Sequence, residues 1–132
     1  MYDRVELNPD WAWAKGYRIA QGVKVGNTVY VSGQVSFDRE GNIVGGDDMK
    51  AQSKQTFKNI EEVLAEAGAT IEDVVKITAY ITDMDRYAEY AEARAEAFPK
   101  NLPASATVST PVLVNSSLLV EVEATAEIGS GA

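Results

Sequence analysis

Five stretches of the chain alternate apolar and polar residues with the period of two that is typical of β-strands. The predicted strands are residues 18–25, 28–34, 74–82, 103–110 and 117–128. Gly26 and Asn27 separate the first two strands, a spacing typical of a two-residue hairpin turn.

Two other segments have the period near 3.6 of amphipathic helices. The first follows Asp47 and Asp48, either of which can cap it, and ends near Gly68. The second covers residues 84–98. This order of elements predicts an α+β fold, a two-layer sandwich in which both helices cover one face of a mixed sheet of about six strands.

One set of alternating residues in each strand is apolar and should pack beneath the helices. This set is Val29, Val31, Val75, Ile77, Ala79, Ile81, Ala104, Ala106, Val108, Leu118, Val120, Val122, Ala124 and Ala126. The complementary set should form the face that the helices leave bare. It includes Tyr30, Ser32, Gln34, Lys76, Thr78, Tyr80, Ser105, Thr107, Ser109, Glu121, Glu123 and Thr125. Because that face is rich in hydroxyl groups and tyrosine, we expect it, or its edge, to pack on another subunit.

Length and terminal features suit one domain over residues 1–132, in which "GSGA" (129–132) is expected to be a disordered tail. No apolar run approaches the ~20 residues that cross a bilayer. The first residues have neither the basic nor the apolar region of a signal peptide. We therefore expect a cytoplasmic protein with no membrane partner.

The composition restricts the chemistry of any site. The chain has no cysteine and no histidine, so thiol nucleophiles, thiolate or imidazole metal sites and imidazole acid–base catalysis are excluded, and no metal site is predicted. Catalysis would have to use carboxylates, Lys, Arg, Tyr, hydroxyls, backbone groups or water. A net charge of −8 disfavours binding to a phosphate backbone, so no nucleic-acid partner is expected.

Four segments in unbroken order resemble one known family: "VKVGNTVYVSGQVSFDREGNIVGGD", "NIEEVLAEAGATIEDVVKITAYITDM", "LPASATV" and "LVEVEATA". Together they are similar to the Rid (YjgF/UK114-type) family of reactive-intermediate imine and enamine deaminases, over about residues 17–128. The resemblance implies a chorismate-mutase-like fold and a homotrimer with small-molecule clefts between subunits. It also implies hydrolysis, without a cofactor, of 2-imino or enamine acids to 2-keto acids and ammonia.

The resemblance assigns roles to individual residues. Glu121 matches the glutamate that positions and activates the hydrolytic water. Ser32, Gly33 and Gln34 match the family's "VSGQ" segment, and Thr107 matches a residue that lines the cleft. These residues, with Ser105, are the predicted catalytic and ligand-binding set.

Three positions depart from the family pattern. Ser105 stands where the deaminases carry the arginine that binds the substrate carboxylate, Ala91 stands in place of an asparagine, and Ile19 aligns with a tyrosine unless the chain shifts by two to Tyr17. A serine hydroxyl cannot replace a bidentate ion pair. The site is therefore predicted to differ from a standard 2-imino acid deaminase.

Two functions remain open from the sequence. One is a cofactor-free hydrolase of an imine, enamine or related C=N compound, with Arg18 or Arg94 as the candidate replacement for the missing cation. The alternative is a trimeric small-molecule-binding module without catalysis. The sequence also leaves open whether Trp11 and Trp13 cover a cleft or only pack.

Overall fold

A six-stranded sheet and two α-helices make up the fold in the computed structural model, which describes residues 3–132. The strands are β1 (Arg4–Leu7), β2 (Gly22–Val25), β3 (Thr28–Gln34), β4 (Val74–Ile81), β5 (Ala104–Ser109) and β6 (Val120–Glu127), and the helices are α1 (Met49–Ala65) and α2 (Tyr87–Ala97). The strand order is β1-β2-β3-β6-β4-β5, and every neighbouring pair is antiparallel except β4 and β5. The predicted α+β sandwich with a mixed sheet is confirmed, and β1 is an additional strand that the alternation did not predict.

The helix α1 lies over β3 and β6 and also packs on α2. Asp48 caps α1 by accepting a hydrogen bond from the backbone N–H of Ala51 at 3.0 Å. The chain leaves the helix through Gly68, whose φ of 72° favours glycine. Within residues 3–132, no helix is long and apolar enough to cross a membrane.

A β-bulge corrects the predicted core in β4. Val74 pairs with Ala126, whereas Lys76 pairs with Thr125, so β4 contains one extra residue at this point. Val75, which the alternation assigned to the core, is therefore 41% exposed, and Val74 is buried in its place.

A second bulge corrects the prediction for Gln34. Two residues of β3, Ser32 and Gly33, lie where β6 provides a single partner. Beyond the bulge Gln34 pairs with Val122 and is buried. The prediction that Gln34 lies on the bare face is wrong because the bulge reverses the alternation.

The edge strand β5 is turned over relative to the prediction. Ala79 of β4 pairs with Thr107 of β5 and with the buried Val122 of β6. Residues that pair directly share a face of a sheet, so Thr107 and Ser105 lie on the helix side. The apolar residues expected in the core are exposed on the bare face instead: Ala104, Ala106 and Val108. Alternation shows which residues share a face but not which face it is.

The C-terminal segment 129–132, expected to be a disordered tail, is held by hydrogen bonds. The backbone N–H of Gly131 donates to Oδ1 of Asp73 at 2.9 Å, and the Ser130 hydroxyl donates to the Asp73 carbonyl at 3.3 Å. Asn101 donates from its side chain to the Gly131 carbonyl at 3.2 Å. Glycine and serine suit this segment because the chain passes close to other backbone, not because it is loose.

Candidate functional site

The first candidate cleft lies on the bare face of the sheet around Glu121, which pairs with Tyr80 across β6 and β4. We call it the Glu121 cleft; its volume is about 470 Å³. Its lining residues are Trp13, Tyr17, Ile19, Gln21, Ser32, Gly33, Val35, Phe37, Val114, Glu121 and Glu123. This lining, within the described chain, contains two carboxylates and no cationic side chain.

The carboxylate of Glu121 is half-buried and unpaired. Burial raises the pKa of Glu121 above its ordinary value, and the negative charge of Glu123 raises it further. No hydrogen bond or salt bridge to another residue in 3–132 offsets these effects. Glu123, in contrast, accepts a hydrogen bond from the Tyr80 hydroxyl at 2.9 Å. Glu121 is thus the carboxylate that is free to hold a water molecule.

The bulge in β3 supports Glu121 from beside it. A Cβ atom at Gly33 would lie 2.5 Å from Oε2 of Glu121, so only glycine leaves the carboxylate its place. The Ser32 hydroxyl donates to the carbonyl of Ala20 at 2.6 Å, which fixes the bulged segment. Ser32 and Gly33 line the cleft, and their role in ligand binding stays a prediction.

Gln34 lies behind the lining of the cleft. Its side-chain amide donates to Oε1 of Gln21 at 2.9 Å and to the Ser32 carbonyl at 3.1 Å. Gln34 is only 1% exposed and is not among the residues that line the cleft, so these hydrogen bonds hold the bulge, and its role in ligand binding stays a prediction.

An aromatic wall closes one side of the Glu121 cleft. Trp13 meets Tyr17 and Phe37 edge-to-face, with ring centroids 5.9 and 5.2 Å apart. Trp11 stacks behind Trp13 at 5.8 Å and donates from Nε1 to Glu62 at 2.8 Å. Trp11 is therefore a packing residue, whereas Trp13 both packs and lines the cleft.

Sequence reasoning did not select these aromatic residues for the site. Tyr17 and Ile19 both line the Glu121 cleft. The signal that could have found Tyr17 is its spacing, because residues two apart in an extended segment share a side. Tyr17 therefore lies in the cleft lining whether Tyr17 or Ile19 aligns with the family's tyrosine.

The second candidate cleft lies on the helix side of the sheet, between β5 and α2. We call it the Ser105 cleft; its volume is about 810 Å³. Its lining residues are Met84, Tyr87, Ala91, Arg94, Ala95, Phe98, Leu102, Pro103, Ser105 and Thr107. The prediction that Ser105 and Thr107 share a face with Glu121 is wrong, since the sheet of one chain separates them.

Arg94 is the cation that the fold brings to Ser105. Its guanidinium carbon lies 5.5 Å from the ring centroid of Tyr87 and 5.3 Å from that of Tyr90, and Nη2 donates to the Tyr87 hydroxyl at 2.9 Å. Burial lowers the pKa of Arg94, but the contacts with both tyrosines raise it by more, so the net shift is upward. Arg94 forms no salt bridge with any residue in 3–132.

Arg18, the other candidate cation, is exposed and lies elsewhere. It lines a groove of about 420 Å³ next to the N-terminal strand, together with Glu6 and Lys15. Neither Glu121 nor Ser105 belongs to that groove. The structure therefore brings Arg94, and not Arg18, into a cleft with Ser105.

Comparisons with known proteins identify the family. The endoribonuclease L-PSP family model matches residues 13–128. A RutC family protein of Pyrococcus abyssi is 42% identical over 108 residues, which are 81% of this chain and 84% of the relative. The solved structure of RidA from an Antarctic Psychrobacter has a TM-score of 0.86 at 36% identity, covering 94% of this chain and 99% of that chain. The chain belongs to the Rid/YjgF family.

A second solved structure agrees. A Mycobacterium tuberculosis member of the YjgF/YER057c/UK114 family has a TM-score of 0.83 at 32% identity, covering 96% of this chain and 100% of that chain.

The Glu121 cleft and the Ser105 cleft of this Rid/YjgF chain lie on opposite faces of the sheet and carry side chains of opposite charge. Residues 3–132 contain no cluster of three His, Cys, Asp or Glu side chains that could hold a metal ion.

Proposed function

We propose that this Rid/YjgF chain is a cofactor-free hydrolase of a small imine or enamine, acting in clefts between the subunits of a homotrimer. The water would be positioned by Glu121. Since Ser105 replaces the arginine of the standard 2-imino acid deaminases, the anion-binding group of this site differs from theirs.

The observation that carries the proposal is the state of the Glu121 carboxylate. It is half-buried, it has no donor among residues 3–132, and burial together with Glu123 raises its pKa. A general base works best when its pKa is brought toward the working pH and when it can reach the proton it removes. The upward shift of the Glu121 pKa is in the direction of the first requirement, and an unpaired carboxylate in a cleft lined by Trp13, Tyr17 and Phe37 has space beside it for the water of the second.

The reaction follows from this position. The oxygen of the water bonds to the carbon of the C=N group while Glu121 accepts one of the water protons. Glu121 passes that proton to the nitrogen, and the second proton follows as the C–N bond breaks and the carbonyl forms. The products are a ketone or keto acid and ammonia, and Glu121 returns to its starting state. An enamine enters the same path after it tautomerises to the imine, taking up one proton on carbon and releasing one proton from nitrogen.

The proposed trimer is supported by the surfaces around both clefts. Val114, beside Glu121, is 75% exposed, and Leu102, in the Ser105 cleft, is 85% exposed. Exposed apolar side chains next to clefts of opposite charge are typical of surfaces that meet. In a cyclic trimer one subunit's Glu121 cleft faces the next subunit's different surface, as a head-to-tail interface requires.

The experiment that tests the function is ammonia release from a panel of neutral and carboxylate-bearing imines generated in solution. Glu121→Gln keeps the size of the side chain and removes the base, so we expect the enzymatic rate to fall to the uncatalysed rate. Glu66→Gln, at an exposed position directly after α1, is the matched control and should keep full activity.

Two results would count against the proposal. If Glu121→Gln hydrolyses the imines as fast as the unmodified protein, the chemistry is not at Glu121. If the unmodified protein releases ammonia from none of the imines, the chain is the binding module that the sequence left as the alternative.

A further inference from the structure

We infer that Arg94, on α2, binds the anionic group of the small molecule that occupies the proposed site between subunits, where the Glu121 cleft of one subunit meets the Ser105 cleft of the next. Arg94 thereby supplies the cation that Ser105, on β5, does not. This inference rests on the proposed function, because it concerns the ligand of the same site. Its ligand class is a small organic anion, with a carboxylate as the simplest case.

The first argument is how Arg94 is held. Two tyrosine rings lie against its guanidinium, at 5.5 and 5.3 Å, and one hydrogen bond joins it to the Tyr87 hydroxyl at 2.9 Å. Rings in this position attract a cation and fix its orientation. A single hydrogen bond leaves most of the N–H donors of the guanidinium free, and their planar fork matches a carboxylate. Arg94 is therefore fixed in place without an anionic partner in the described chain.

The second argument is charge. The chain has a net charge of −8, yet Arg94 is the only charged residue among those that line the Ser105 cleft in the described structure. Arg86, by comparison, is paired with both Asp47 and Glu89. A lone cation in a cleft without carboxylates attracts an anion, whereas the rest of this acidic surface repels it.

The third argument is the space around Ser105. Serine is small, and the cleft it shares with Arg94 has a volume of about 810 Å³, so an anionic group can enter between β5 and α2. The hydroxyls of Ser105 and Thr107 can donate hydrogen bonds to that group. Met84, Phe98 and Leu102 supply an apolar wall for the remainder of the molecule. Ser105 alone therefore does not exclude carboxylate-bearing substrates.

The experiment is calorimetric titration with 2-oxobutanoate, a stable 2-keto acid, compared with 2-butanone, which lacks the carboxylate. We expect Arg94→Met to weaken 2-oxobutanoate binding by about tenfold to a hundredfold and to leave 2-butanone unchanged. Arg94→Lys keeps the charge and loses the fork, so its affinity should fall in between. Arg39→Met removes an exposed arginine outside both clefts and should bind as the unmodified protein does.

Turnover supplies a second reading. For a carboxylate-bearing imine, Arg94→Met should raise KM by a similar factor with a smaller change in kcat, and the rate on a neutral imine should not change. Circular dichroism and the melting temperature report whether each variant is folded, and Arg94→Lys tests the inference if Arg94→Met is not.

The outcomes separate this inference from the proposed function. Equal binding of 2-oxobutanoate by the unmodified protein and by a folded Arg94 variant, or no binding by either, overturns the role of Arg94 and leaves the Glu121 assay untouched. Arg94-dependent binding of 2-oxobutanoate in a protein that hydrolyses no imine supports the anion site and removes the hydrolase.

Discussion

The two clefts differ in charge and in what holds them. In the Glu121 cleft the Glu121 carboxylate comes from the sheet and lies against the bulge at Gly33. The described lining of this cleft contains no cation. In the Ser105 cleft the cation Arg94 comes from a helix, fixed by Tyr87 and Tyr90 and left without a carboxylate in the described lining. The lining of one cleft has carboxylates and no cation, and the lining of the other has a cation and no carboxylate.

If the proposed function is right, this difference makes the site of a single chain incomplete. Tyr80 pairs with Glu121, whereas its neighbour Ala79 pairs with Thr107, so the base and the Ser105 cleft point to opposite sides of one sheet. No rotation of side chains brings them together within the chain. The two halves can meet only where one copy packs its bare face or edge against another.

The largest expected effect is the rescue of activity by co-expressing two impaired variants. At a substrate concentration well below the raised KM of Arg94→Met, Glu121→Gln and Arg94→Met should each hydrolyse a carboxylate-bearing imine poorly when purified alone. When co-expressed at equal levels they should regain about a quarter of the unmodified activity, since a site is intact only when both of its chains contribute an unmodified half. The rate per subunit, averaged over all the trimers that form on co-expression, is the measurement.

The control is the double variant that carries both substitutions in one chain. Mixed at equal levels with the unmodified protein, it should also leave about a quarter of the sites intact, because each site draws on two chains. A complete lack of rescue, or a sedimentation mass near one 14.3 kDa chain, would show that the two clefts do not combine.

The fold could be predicted from the sequence because local patterns and the core agree. Ile77, Ala79 and Ile81 alternate in β4 and all three are buried, and α1 is capped by Asp48, one of the two aspartates predicted as its cap. The alternation could not predict the positions where strand pairing introduces a β-bulge. Val75 left the core at a bulge, which depends on the register with β6 and has no signal in β4 itself.

For the candidate site, the sequence suggested residues, and the structure shows where they lie without testing their roles. Glu121, Ser32 and Gly33 line one cleft and Ser105 and Thr107 the other, so these predicted residues all lie in clefts. The alternation of β5 was read correctly, but the side it faces is set by its parallel pairing with β4 at the edge of the sheet. Arg94 lies in the Ser105 cleft because α2 packs beside β5. No local sequence pattern predicts where a helix packs on the sheet.

A smaller effect tests the rigid support of the Glu121 cleft. The Cβ of Gly33→Ala would lie 2.5 Å from Oε2 of Glu121, so the carboxylate must move while the backbone, which is not in the left-handed region, is not strained. Misplacing a catalytic group by about 1 Å can cost on the order of a hundredfold in rate. We expect kcat to fall by about that factor, measured by ammonia release.

The matched control for that change is Gly16→Ala, where a Cβ meets nothing within 4 Å. It should keep both its melting temperature and its kcat. The contrary result is a Gly33→Ala protein that stays folded, with an unchanged melting temperature, and turns over at the unmodified rate. It would mean that the position of the Glu121 carboxylate does not matter for turnover. The charge difference between the two clefts would then have no catalytic meaning.

The smallest expected effect is a shift of the pH dependence by Glu123. Burial and the charge of Glu123 raise the pKa of Glu121, and Glu121 acts as a base only when ionised, so activity should fall as the pH falls through this raised value. Glu123→Gln removes the charge and keeps an oxygen for the Tyr80 hydroxyl, which now lies 2.9 Å from Oε1 of Glu123. The pKa of Glu121 should then be lower, and the acid limb of kcat should move to lower pH while the plateau at higher pH is retained.

The control is Glu127→Gln, which changes a carboxylate on the same strand outside the cleft and should leave the acid limb in place. Added salt should narrow the difference between the unmodified protein and Glu123→Gln, because the effect of Glu123 is Coulombic. A limb that does not move in Glu123→Gln, or that moves to higher pH, would assign the titrating group to a residue other than Glu121.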